Sequence, residues 1–255
     1  MNLTDTYAYI MAHTIVLISG TNRGLGKALL KLYLAKSNHI VIGANRDPSH
    51  PTSQALASLP TGTGSRLIIV KVDATVESDP VKAVQDLASQ SIDHLDLVIA
   101  NAGITQAVPK VSDVKTAELQ SHFTVNVLGL IWLYQATLPL LVKSTNPKWV
   151  SIGSVAGSIE NQIPWPNAAY APTKAAVHWL TRRINEEEPK LNAFIVHPGW
   201  IATDMGNFSA QQWGLEKAPE SVEDSSKGVV KLVDVATKQT HGGKFWSYKD
   251  NLLPW

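Results

Sequence analysis

His13-Thr14-Ile15-Val16-Leu17-Ile18-Ser19-Gly20-Thr21-Asn22-Arg23-Gly24-Leu25-Gly26 decides the fold: an apolar run, a glycine-rich turn, then helical periodicity starting at Leu25. An unbroken apolar run predicts a strand covered on both faces, because a half-exposed strand alternates apolar and polar side chains. Glycines let the turn reverse sharply and bring backbone close to a ligand, and the free amides of the following helix favour an anion. In this strand-turn-helix setting, Gly20, Asn22, Arg23, Gly24, Leu25 and Gly26 are expected to hold a dinucleotide pyrophosphate.

Outward from that unit, apolar runs recur at His39 to Gly43, Arg66 to Val72, Leu95 to Ala100, Lys148 to Ile152, Leu191 to Val196 and Lys244 to Trp246. Helix-length segments alternate with them at Leu25 to Lys36, Val81 to Gln90, Ala117 to Val142, Ala168 to Glu187 and Val222 to Ala236. This alternation predicts an α/β fold, a single Rossmann-type doubly wound parallel sheet of about seven strands with helices on both faces. One NAD(P)-binding domain is expected over residues 1–255, which contain no linker or internal repeat. Residues 1–12 read as an N-terminal extension, with Met11 an alternative start, and residues 200–219 as a substrate-binding lid.

The 22 basic and 21 acidic side chains leave a formal charge of +1 with no basic cluster, so no nucleic-acid partner is expected. With no cysteine there is no disulfide framework, thiolate metal site or thiol nucleophile, and no metal site is expected. The opening MNLTDTYAYI lacks the basic and apolar regions of a signal peptide. No apolar run reaches the roughly 18 residues of a membrane span. A cytoplasmic protein without a membrane partner is expected.

The second strand ends Gly43-Ala44-Asn45-Arg46, without the acidic residue that accepts from an adenosine ribose. Arg46, with Asn45 beside it and Arg23 nearby, offers a guanidinium to a 2′-phosphate. That favours NADPH/NADP+ over NADH; the alternative is that both arginines are solvated surface residues. Asp73 accepts from an adenine amino group or caps a helix. Asn101-Ala102-Gly103 has the small residues that suit backbone passing close to a cofactor.

Tyr170 and Lys174 stand four residues apart, hence one turn apart on one helical face. A ketone under reduction must receive a proton at oxygen, and a phenol with reference pKa near 10 needs help to supply it. A neighbouring ammonium gives that help by favouring the phenolate. Ser154, in Ser151-Ile152-Gly153-Ser154, lies past the fifth strand and either hydrogen-bonds a carbonyl oxygen or forms a turn. Asn126 falls inside a predicted helix and is either a structural amide or part of a proton relay. Trp165, Trp200 and Trp213 border the reacting end; they are walls for a flat aromatic substrate, or core or interface residues.

Taken in order, the glycine loop, Asn101-Ala102-Gly103, Asn126, Ser154, Tyr170 with Lys174, and His197-Pro198-Gly199 followed by Thr203 resemble the short-chain dehydrogenase/reductase family over essentially the whole chain. The resemblance implies Tyr170 as general acid, Lys174 on the ribose and the tyrosine, Ser154 on the carbonyl and Asn126 in a water relay. It also implies Thr203 near the nicotinamide amide, with Pro198, Gly199 and Ile201 among the cofactor-binding residues. Ser19 departs from the family's usual threonine, and the 15 residues between Ser154 and Tyr170, with Ile163-Pro164-Trp165-Pro166 among them, are a few more than usual. Ala193-Phe194-Ile195-Val196, Thr203-Asp204-Met205-Gly206 and Leu253-Pro254-Trp255 are similar to fungal norsolorinic acid ketoreductases and sniffer-like carbonyl reductases.

These likenesses imply NADPH-dependent reduction of a ketone to a secondary alcohol, on an aromatic polyketide-type substrate of fungal secondary metabolism. The alternative readings are an NADPH-binding regulatory protein, or a bifunctional reductase that also directs cyclisation. The family pattern implies a homodimer or homotetramer through the long helices, whereas sniffer-like relatives also occur as monomers.

Overall fold

In the computed structural model, which describes residues 13–255, seven parallel strands form one sheet in the order β3-β2-β1-β4-β5-β6-β7. They are β1 (Thr14–Ser19), β2 (His39–Asn45), β3 (Arg66–Lys71), β4 (Leu97–Ala100), β5 (Lys148–Ile152), β6 (Asn192–His197) and β7 (Phe245–Ser247). The helices are α1 (Gly24–Leu34), α2 (Pro51–Gln54), α3 (Asp79–Ser89), α4 (Thr116–Phe123), α5 (Gly129–Leu141), α6 (Ala171–Glu187), α7 (Asp204–Gln212), α8 (Val222–Val235) and α9 (Lys238–His241). The N-terminal extension expected over residues 1–12 lies outside the described residues.

Alternate strand residues feed two cores, as a sheet covered on both faces requires. Ile15 and Leu17 of β1 pack with Leu87, Leu133, Val177 and Ile184 of α3, α5 and α6. Val16 and Ile18 turn the other way, onto Leu29 and Leu30 of α1 and Val229 and Val233 of α8. Each such side chain contributes about 1.5–3 kcal/mol on burial.

Most differences from the sequence-based expectations lie at element ends. The first strand begins at Thr14 rather than His13, and β4 at Leu97 rather than Leu95. The helix expected from Val81 begins at Asp79, where Pro80 occupies the first turn without losing a hydrogen bond. The helix expected from Ala168 begins at Ala171, again with proline in its first turn. The short α2 and α9 were not expected, and the segment 200–219 contains the ordered helix α7.

The predicted helix over 117–142 holds a larger surprise: a π-helical turn at Thr124–Leu128 separates α4 from α5. The whole helical run, Thr116–Leu141, spans 26 residues, and its most apolar 18-residue window has mean hydropathy 1.4, which meets the length and composition of a membrane span. In this fold its residues Leu130, Leu133, Leu140 and Leu141 are buried in the core beneath the sheet.

The strand order reverses between β1 and β4. There the carboxyl ends of adjacent strands diverge and open the crevice in which ligands of such sheets bind. The loops after β1, β4, β5 and β6, and the start of α6, all reach this edge.

Candidate active site

The glycine turn is built for close approach. Gly20 has φ +71°, and a Cβ on Gly26 would run into the Gly20 carbonyl and the Asn101 amide. Arg23, the residue preceding α1, makes no side-chain cap, so the first-turn amides of Gly24, Leu25 and Gly26 receive no help from it. Ser19 accepts at 3.0 Å from the amides of both Asn101 and Ala102, while Asn101 Nδ2 donates to the Ser19 and Gly20 carbonyls at 2.8 and 3.2 Å. The serine that departs from the family habit thus fastens the two diverging strand ends.

Asn45 is buried, and its Oδ1 accepts from the Thr21 amide and hydroxyl at 2.8 and 3.0 Å, so it braces the glycine turn from behind. Arg46 is exposed at the end of β2. Asn22 donates to Thr52 at 3.1 Å, and Arg23 meets Asp204 of α7 at 3.2 Å. Asp73 accepts from the Thr75 amide and hydroxyl, capping a turn; α3 starts only at Asp79.

After β6, Ser225 donates to the Pro198 carbonyl and Ile201 bridges to Glu220. Thr203 caps α7 by accepting from the Gly206 amide at 3.2 Å, and its methyl lies 3.3 Å from where a Cβ on Gly24 would stand. The first and last parts of the predicted cofactor set therefore face one another across the crevice. Gly103 lies against Asn126, whose Oδ1 would be 3.2 Å from a Cβ placed there.

Asn126 sits in the π-helical turn. Its Oδ1 accepts from the Ile104 amide at 2.8 Å, and its Nδ2 donates to the Ile104 carbonyl and the Thr173 hydroxyl, each at 3.0 Å. The side chain engages protein groups at both its oxygen and its nitrogen. It joins the loop after β4 to the start of α6.

Ser154 accepts from the Ala156 amide at 3.2 Å, which caps a short 3-10 turn, and its hydroxyl is close enough to the Tyr170 phenol to favour the phenolate. Lys174 is buried, donates to the Ile152 carbonyl at 2.7 Å, and has its Nζ 5.6 Å from the Tyr170 ring centroid. Burial pushes the Tyr170 phenol up to about 12, against a lowering by Ser154, and pulls Lys174 down to about 8. A neighbouring ammonium was expected to bring the phenol toward working pH, whereas burial moves it the other way. The resulting pair is a neutral phenol beside a cation, which suits donation of a proton to an oxygen bound at Ser154.

The three tryptophans meet. Trp165 stacks on Trp213 at 5.2 Å between centroids, and Trp200 lies 5.6 Å from Trp165 and 5.4 Å from Trp213. The extra residues between Ser154 and Tyr170 supply Trp165, 38% exposed, so the cluster has an open side.

Two residues near the site were not singled out from the sequence. Thr173 receives the Asn126 amide, and His178 accepts from the Ser154 amide at 3.3 Å. The signal for His178 was available, since it continues the four-residue spacing of Tyr170 and Lys174 along α6.

Comparison with known proteins identifies the family. A profile of the short chain dehydrogenase family matches residues 14–213. The chain is 41% identical to a short-chain dehydrogenase of Neurospora crassa, over 95% of this chain and 98% of that protein. It is 36% identical to a norsolorinic acid ketoreductase of Dothistroma septosporum, over 95% and 92% of the two chains. Among solved structures it is similar to an NADPH-bound carbonyl reductase from chicken fatty liver, with TM-score 0.83 and 26% identity over 96% of this chain and 100% of that one.

Proposed function

The chain belongs to the short-chain dehydrogenase family, and on that premise we propose that it reduces a ketone of an aromatic, polyketide-derived molecule to a secondary alcohol with NADPH. The observation that carries this reading is the meeting of three groups at the end of β5: the Ser154 hydroxyl beside the Tyr170 phenol, and the buried Lys174 ammonium 5.6 Å from the phenol ring and bonded to the Ile152 carbonyl.

When bound, NADPH supplies the hydride. The cradle left by Gly20 and Gly26 fits its pyrophosphate, because side chains there would fill the space. We assign Arg46 and Arg23 to the 2′-phosphate, Asp73 to the adenine, Asn101, Ala102 and Gly103 to the crevice floor, and Pro198, Gly199, Ile201 and Thr203 to the nicotinamide end. The carbonyl oxygen rests on the Ser154 hydroxyl, which supports negative charge as it develops. Tyr170 gives its proton to that oxygen, and Lys174 stabilises the phenolate left behind. Any proton relay at Asn126 uses its main chain, since both ends of its side chain are engaged.

The aromatic substrate is supported by the open tryptophan cluster and by similarity to ketoreductases named for norsolorinic acid. Residues 200–219, with Trp200, Trp213 and α7, act as the substrate-binding segment. The test is NADPH oxidation against aromatic polyketide ketones and quinones, with NADH and the Tyr170→Phe variant alongside. Turnover that Tyr170→Phe abolishes supports the reading. NADPH binding with no turnover across the panel transfers weight to a regulatory protein, and undiminished turnover in the variant removes Tyr170 as donor.

A further inference from the structure

The buried face of α6 carries polar side chains directed at the end of β5. Lys174 donates to the Ile152 carbonyl at 2.7 Å, His178 Nε2 accepts from the Ser154 amide at 3.3 Å, and Thr181 donates to the Ser151 hydroxyl at 2.7 Å. These helix positions follow one another by about a turn, so one face of α6 holds residues 151, 152 and 154 at and just past the end of β5.

Within this set His178 alone touches Ser154. It is 3% exposed, and its ring lies 4.3 Å from that of Phe245 and 6.1 Å from that of Trp255, so the imidazole sits in an aromatic niche. A Cβ on Gly153 would stand 2.6 Å from Nε2, so glycine is what admits the ring to the Ser154 amide. To accept there, Nε2 must be without a proton, which places the proton on Nδ1. Nδ1 is buried and has no hydrogen-bond partner among the described residues. Burial, with the Lys174 charge nearby, keeps the ring neutral by pulling it down to about 3. A leucine would fill this apolar niche without a stranded N–H, so the imidazole's contribution is the acceptor it offers Ser154.

We propose that His178 is a positioning residue, whose Nε2 fixes the main chain of Ser154 and so aims the Ser154 hydroxyl at the Tyr170 phenol. The inference rests on the reading of Ser154 and Tyr170 as the carbonyl-binding and proton-donating pair. Rotation of the Ser154 backbone would swing its hydroxyl away from the phenol, and misplacement on this scale lowers rate more than binding.

The experiment compares His178→Leu, which fills the niche without an acceptor, with His178→Gln, which keeps one. Both are made in the wild-type and Ser154→Ala backgrounds, with Tyr170→Phe as a control, phenanthrenequinone as the probe, and thermal unfolding measured in parallel. His178→Leu should lower kcat on the order of tenfold with KM for NADPH nearly unchanged. His178→Gln should recover most of that loss. In the Ser154→Ala background the leucine substitution should cost kcat nothing further, although its effect on melting persists.

Equal losses of kcat in both backgrounds, or lost stability with kcat retained, overturn the proposal. Retained turnover in Tyr170→Phe instead sinks the reading beneath it. A second arm is read without turnover: nitrogen-15 NMR of the histidine side chains in the wild-type protein. A neutral His178 protonated on Nδ1 is expected at neutral pH, and a ring protonated on Nε2 overturns the proposal even if phenanthrenequinone is not reduced.

Discussion

The ammonium of Lys174 donates to the carbonyl oxygen of Ile152 at 2.7 Å, two residues before Ser154 in the chain. One buried cation thereby ties the helix that begins beside Tyr170 to the strand that ends beside Ser154. The same burial inverts the order in which the pair titrates. In water a phenol loses its proton slightly before a lysine; here Lys174 falls to about 8 and Tyr170 rises to about 12.

From this order follows the pH dependence of reduction. The Lys174 charge is present below about 8 and lost above it, while Tyr170 keeps its proton until about 12. We expect kcat/KM for ketone reduction to fall as pH rises through about 8. Lys174→Arg, whose guanidinium stays charged, should be slower but should move that limb upward. A limb that stays in place in the arginine variant assigns the titration to another group.

Asn126 makes three hydrogen bonds that leucine cannot replace. Asn126→Leu should destabilise the fold by about 3 kcal/mol, at about 1 kcal/mol for each stranded partner. Urea unfolding measures it, and a loss well under 1 kcal/mol in total would show that the Ile104 and Thr173 groups find other partners.

Arg46 is exposed and Arg23 is engaged with Asp204, also at the surface. Arg46→Ala should therefore carry most of the discrimination: NADPH affinity falling by about tenfold or more, NADH affinity little changed. Titration of both cofactors by fluorescence tests this, and equal losses would refute a 2′-phosphate partner at that position.

Acid stability should report the buried histidines. Burial pulls His178 down to about 3 and His197 to about 4, so in the fold both refuse a proton that the unfolded chain accepts below about 6.5. Stability from this source is complete above about 6.5 and is lost as pH falls toward those values, at about 1.4 kcal/mol per pH unit for His178. Melting temperatures across this range should decline less steeply in His178→Gln. Parallel curves for variant and wild type would assign the decline to other groups.

Much of this was legible from local pattern. Unbroken apolar runs marked the buried strands, and the turn at Gly20 to Gly26 marked the crevice, because both depend on neighbours in sequence. The helix over 117–142 was legible in extent but not in its break at Thr124–Leu128. Periodicity reports which face is apolar, and the π-helical turn coincides with an amide whose partners lie elsewhere in the chain.

The sequence by itself determined the layered α/β architecture and the pairing of Tyr170 with Lys174, since strand burial, glycine turns and one-turn helical spacing are properties of short segments. Tertiary structure decided what those residues touch. It brought Trp165, Trp200 and Trp213 into one cluster, set Asn126 between Ile104 and Thr173, and placed His178 on the Ser154 amide. Those contacts join segments far apart in the chain. They exist only because the order of strands in the sheet brings the loops after β4, β5 and β6 and the start of α6 to a common edge, which no local periodicity encodes.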